Sequence, residues 1–60
     1  MTLKEYMVLH GLTAKYLARR LEVSVSAARK WIQGTRIPRL STMKKINRIT
    51  SGKVSFNDWK

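Results

Sequence analysis

The sequence predicts an all-α fold, a small bundle of four to five short helices, and three observations carry that expectation. Helix-capping residues recur at short intervals, with Thr2, Thr13 and Ser24 each standing just before a stretch of apolar periodicity. Apolar side chains follow the three-and-four spacing of one helical face, as in Leu17, Ala18 and Leu21. No alternating run of useful length competes with them. Lys53, Val54, Ser55 and Phe56 form one short strand-like stretch, which has nothing to pair with.

Each element has its own start and stop. Thr2 followed three residues later by Glu5 is a capping box, and it opens a first helix with Leu3, Tyr6, Met7 and His10 on one face. Gly11 supplies the stop. Thr13 caps the next helix, and Leu12 before it is placed to staple onto Leu17. From Ala14 to Leu21 the apolar side holds Leu17, Ala18 and Leu21, and the other side holds Lys15, Arg19 and Arg20. Glu22, Val23 and Ser24 break the pattern. Ser24 then caps a third helix reaching Gln33, with Ala28, Trp31 and Ile32 inward and Val25, Ser26, Arg29, Lys30 and Gln33 outward. Gly34 ends it, and Pro38 keeps Ile37 out of the helical region. A fourth helix is expected from Leu40 to Thr50, with Leu40, Met43, Ile46 and Ile49 as its core residues. Its start stays open between Arg39, a poor cap, and Ser41, a good one. Gly52 stops it. Residues 54–59 read as a capped single turn whose Phe56 and Trp59 either fold back on the body or help form a twofold interface.

Composition narrows the function classes. The chain has 60 residues, with thirteen Lys and Arg against three acids, for a net charge of +10. At this length a chain buries only about 60% of its unfolded surface, so a single domain over residues 1–60 is expected. With 43% hydrophobic residues it is too apolar for a disordered basic tail. There is no Cys, which removes disulfides and thiolate metal sites, and His10 has no second His beside it, so no metal and no cofactor are expected. The longest apolar run, from Tyr6 to Leu9, falls far short of the roughly 18 residues of a membrane span. Glu5, Glu22 and Asp58 are scattered and no Gly-rich phosphate loop is present, so an enzyme is not expected.

Two short helices joined by a three-residue turn are the central feature. Ala18 is small where the second helix must cross closely, Val23 plugs the turn, and Ala28 and Trp31 face inward. This is helix-turn-helix geometry, whose second helix fits a DNA major groove. The pattern Thr13-x3-Leu17-Ala18-x2-Leu21-x-Val23-Ser24-x3-Ala28-x2-Trp31-x2-Gly34-x3-Pro38 resembles the phage Cro and repressor type of helix-turn-helix, the lambda-repressor-like or XRE-like domains. The ending, with Ile46, Ile49, Thr50, Gly52, Val54, Asp58 and Trp59, looks like the tail of small phage Cro-like regulators. Two positions depart from the family pattern. Glu22 stands where relatives usually have Gly, at a cost of roughly 1–2 kcal/mol if forced left-handed. Ala14 stands where relatives often carry Gln.

The resemblance implies a division of labour. Base edges would fall to Val25, Ser26, Arg29 and Lys30 on the recognition helix. The chemistry suits the assignment: Arg29 can fork onto guanine, Val25 offers methyls to thymine, and Ser26 can donate or accept. Phosphates would fall to Thr13, Lys15, Gln33, Thr35, Arg36 and Arg39, which flank that helix. Lys44, Lys45 and Arg48 read as a solvated face instead. The expected protein is a sequence-specific DNA-binding transcriptional regulator, a phage Cro-like repressor on a two-fold double-stranded operator. It would be a homodimer at least on DNA, cytoplasmic and nucleoid-associated in a bacterial host, with no membrane partner and no small-molecule effector. The alternatives are a nonspecific basic nucleic-acid-binding module and an antitoxin or protein-interaction version of the same fold.

Overall fold

Each of the first three helices begins where a hydroxyl accepts the orphan amides of its first turn, and ends where the backbone turns left-handed. In the computed structural model, which describes residues 1–59, α1 spans Leu3–His10, α2 Ala14–Leu21, α3 Val25–Gln33 and α4 Leu40–Ile49, and a 3₁₀ turn follows at Phe56–Asp58. Thr2 Oγ1 accepts from the Glu5 amide at 3.2 Å while Glu5 Oε1 accepts from the Thr2 amide at 2.8 Å, closing the predicted capping box. That backbone bond holds the Glu5 carboxyl below its ordinary 4.5. Thr13 Oγ1 and Ser24 Oγ accept from the amides of Tyr16 and Ala27, each at 3.1 Å.

The three C-termini share one solution. The amides of Leu12, Val23 and Thr35 reach back to the carbonyls of Met7, Ala18 and Lys30 at 2.9, 3.0 and 3.0 Å. Each reach passes over a left-handed residue: Gly11 at φ 62, Glu22 at φ 58 and Gly34 at φ 80. Glycine adopts that conformation freely, so of these three only Glu22 is strained, as is Ser51 at φ 54 after the fourth helix.

The fourth helix starts differently. Arg39 occupies its cap position and makes no side-chain cap bond, so the poor cap stands there and Ser41 lies inside the first turn. Buried Pro38 just upstream anchors the approach, and tertiary placement sets the start in place of a capping hydroxyl.

The core is Leu3, Met7, Leu17, Ala18, Leu21, Ala28, Ile46 and Val54, with Tyr6, Leu12, Val23, Trp31, Ile32, Ile49 and Trp59 packed against it. Helices α2 and α3 share the most extensive contact; α1 packs on α3, α4 on α2, and the 3₁₀ turn on α4. Of the expected α4 core, Leu40 and the half-buried Met43 stand outside this cluster; His10, on the Leu3 face of α1, and Phe56 are exposed as well. Leu40 is 59% exposed, because it is the first residue of α4 and α4 is wholly buried only at Ile46. His10 is exposed and stacks on Tyr6 at a centroid distance of 4.3 Å. Of the tail pair, Trp59 folds back on the core and Phe56 remains 46% exposed.

Val54 and Thr50 take the vacated role. Both are buried, and the Thr50 hydroxyl donates to the Ile46 carbonyl at 2.7 Å while accepting from the Val54 amide at 3.2 Å. One side chain thus ends α4 and pins the following segment. Beyond it, the Ser55 amide and hydroxyl both donate to Asp58 Oδ2, at 2.8 and 3.0 Å. The amide bond holds the Asp58 carboxyl below its ordinary 3.8.

Two substitutions test these features by urea unfolding. Glu22→Gly relieves the left-handed strain and raises stability by about 1 kcal/mol. Thr50→Val orphans the buried Val54 amide and lowers stability by about 1–3 kcal/mol; an unchanged midpoint would remove Thr50 from its bridging role.

Candidate nucleic-acid interface

The α2–turn–α3 unit decides what α3 can present. Ala18 and Ala28 are almost without accessible surface, so the two backbones meet closely at that crossing. Trp31 and Ile32 pack on the core as well, which fixes the roll of α3 about its axis. Val25, Ser26, Arg29 and Lys30 are consequently all exposed. Positions four apart stack along a helix, so Val25 lies over Arg29 and Ser26 over Lys30, and the four make a single patch. The nine residues of α3 span about 13 Å at 1.5 Å per residue, close to the roughly 12 Å width of a B-DNA major groove.

The expected phosphate contacts are exposed too: Thr13, Lys15, Gln33, Thr35, Arg36 and Arg39. The structure brings some of them together. Thr13 and Lys15 line a shallow depression at the start of α2 with Tyr16 and Arg19. The Thr13 oxygen is engaged by the Tyr16 amide, which leaves its O–H free to donate to an anion. Gln33 and Arg36 border a second groove that has Trp31 and Trp59 along it. Arg29 and Gln33 also line a groove between α3 and α1, beside Ala14, whose small side chain leaves that groove open. Thr35 donates its hydroxyl to the Lys30 carbonyl at 3.3 Å, closing the end of α3. Arg39 stands apart from these grooves, at the start of α4.

One pairing escaped the sequence reading, although its four-residue spacing signals it. Arg20 Nη1 donates to Tyr16 Oη at 2.9 Å, with the guanidinium 5.8 Å from the ring centroid. Tyr16 thereby keeps its own O–H proton available beside a fixed positive charge.

The electrostatics are one-sided. Of the thirteen Lys and Arg, all but Lys4 and Lys60 fall within residues 13–53, eleven in all, against Glu22 alone. Among the described residues the sole ion pair joins the Met1 amino group to Asp58 at 3.3 Å. Among the described residues the cations around α3 therefore have no acidic partner, and polyanion phosphates are the natural counter-charge.

A family model described as helix-turn-helix matches residues 3–55. The chain belongs to that family. It is the Cro and repressor type that the motif resembles, a family of DNA-binding regulators and not of enzymes. No curated protein and no solved structure matches the chain. Among the described residues of this helix-turn-helix protein, no helix is long and apolar enough to cross a membrane.

Because Ser24 caps the helix that carries the exposed patch, Ser24→Ala is expected to cost about 1 kcal/mol in thermal or urea unfolding, and Ser24→Asp to retain most of it.

Proposed function

We propose that this helix-turn-helix protein is a sequence-specific transcriptional repressor of the phage Cro type, one domain over residues 1–60, acting as a dimer on a two-fold operator. The observation that carries the reading is the exposed patch of Val25, Ser26, Arg29 and Lys30 on α3, set among cations that no acid among the described residues pairs with. Inserted in the major groove, Arg29 forks onto guanine O6 and N7 and Val25 packs on a thymine methyl. Ser26 and Lys30 extend the contact along the same edge. Thr13, Lys15, Gln33, Thr35, Arg36 and Arg39 grip the backbone on either side and hold α3 in register.

Repression is steric: a bound operator overlapping a promoter excludes polymerase, and no chemical step is needed. The apolar side chains left outside after α3, Ile37, Leu40 and Phe56, supply the surface on which two copies meet on the operator. Their neighbours Arg36, Arg39 and Lys53 repel a second copy until DNA phosphates neutralise them.

The test is selection of bound duplexes from a random pool, followed by titration of the selected and scrambled sites at two salt concentrations. A two-fold site with roughly 10³-fold preference or better is expected. With about six phosphates neutralised, log K should fall against log salt with a slope of roughly −5. Arg29→Ala relaxes preference at one base pair by about 1–3 kcal/mol, whereas Arg36→Ala weakens all sequences alike. Equal binding to selected and scrambled duplexes would leave a nonspecific binder and sink the repressor reading.

A further inference from the structure

One side-chain pair on α2 belongs neither to the recognition patch nor to the phosphate set named above. Tyr16 is 41% exposed, yet its ring is seated, lining a small cavity with Tyr6, Leu12, Leu17 and Ile49. Its hydroxyl is on the solvent side, where Arg20 Nη1 donates to it at 2.9 Å. The guanidinium also lies 5.8 Å from the ring centroid. An exposed Arg ordinarily samples many rotamers; this one is ordered before any ligand arrives, so less freedom is lost on binding.

The surroundings of the pair are rich in donors. Tyr16 Oη accepts from Arg20, which leaves the phenolic O–H to donate outward. Thr13 Oγ1 accepts from the Tyr16 amide and keeps its own O–H in the same way. Exposed Lys15 and Arg19 line one depression with Thr13 and Tyr16. Among the described residues no carboxylate pairs with Lys15, Arg19 or Arg20. Hydroxyls already accepting, set among unpaired cations, suit an anion that offers several oxygens side by side. A backbone phosphate has two non-bridging oxygens. Thr13 and Lys15, at this same end of α2, are where the proposed DNA complex brings the backbone.

We propose that Tyr16 is a further phosphate contact, its O–H donating to a non-bridging oxygen of the duplex, and that Arg20 is the residue that positions that hydroxyl and adds its charge. The inference rests on the DNA-binding part of the function proposed above, and on neither repression nor operator symmetry. Tyr16 is uncharged, and that sets it apart in measurement from the cations around it.

Titration of selected and scrambled duplexes at several salt concentrations tests it. Tyr16→Phe keeps the seated ring, so circular dichroism and the urea midpoint should change little. Its affinity for both duplexes should fall alike, about three- to tenfold. The slope of log K against log salt should stay as it is, because no charge is lost. Arg20→Gln should reduce that slope by about one. In the Tyr16→Phe chain Arg20→Gln should cost less affinity than in the native chain, since part of its effect passes through the hydroxyl. Native-like binding by Tyr16→Phe overturns the proposal, as does a loss confined to the selected duplex or strictly additive losses for the two substitutions. A chain that binds no duplex overturns it together with the DNA-binding reading. Equal binding of selected and scrambled duplexes sinks the repressor alone, because a phosphate contact acts on any sequence. Undiminished binding by Tyr16→Phe beside a relaxed preference in Arg29→Ala sinks this contact alone.

Discussion

The structure depends on how closely α2 and α3 approach, and that distance is set by two methyl groups. Ala18 and Ala28 have essentially no accessible surface, and the helices that carry them share the largest contact in the bundle. A larger side chain at either point would drive the helices apart, because a close-packed interior has no slack to absorb it. The displacement would pass directly to Arg29 and Lys30, which follow Ala28 in α3. The turn enforces the same spacing from the other side: Glu22 accepts a left-handed backbone so that the Val23 amide can close on the Ala18 carbonyl. Packing and turn therefore converge on one orientation of one helix.

What the sequence discloses follows the range of the interaction. Thr2, Thr13, Ser24, Gly11 and Gly34 act within a few residues of themselves, and the helix boundaries they imply agree with the structure. The outward set on α3 was legible for the same reason, since helical geometry alone places Val25, Ser26, Arg29 and Lys30 together. Leu40 and Met43 were expected in the core and lie outside it, because periodicity tells which side a residue faces but not whether another element covers that side. Val54 and Thr50 were overlooked as core because their burial is created by the return of the tail onto α4, a non-local event. The phosphate set lies between these cases. Its residues are exposed, but which of them share a groove, as Gln33 and Arg36 do beside Trp59, required the return of the tail onto the body.

The three acids explain why the positive field is so little compensated. Glu5 takes the Thr2 amide, Asp58 takes the Ser55 amide, and Glu22 occupies the left-handed end of α2. Each is used on local backbone geometry, and none forms an ion pair with a Lys or Arg among the described residues. The fold is thus capped by its acids while its bases remain free for an external polyanion. The same division leaves α1, with one charge of each sign, as the neutral exception.

The brevity of α3 has a consequence for information. Its nine residues make about two and a half turns, and half of that circumference is committed to the core. On the function proposed here, four outward side chains would address about four base pairs, since each reads roughly one edge. A word of that length recurs far too often to be singled out among roughly 10⁶–10⁹ competing sites in a genome. Lengthening the message within one copy would require a longer helix, which the crossing at Ala18 and Ala28 and the stop at Gly34 do not permit. On that reading the capacity of a single molecule is capped by its own architecture, and the selectivity proposed for it calls for the same short word to be read more than once.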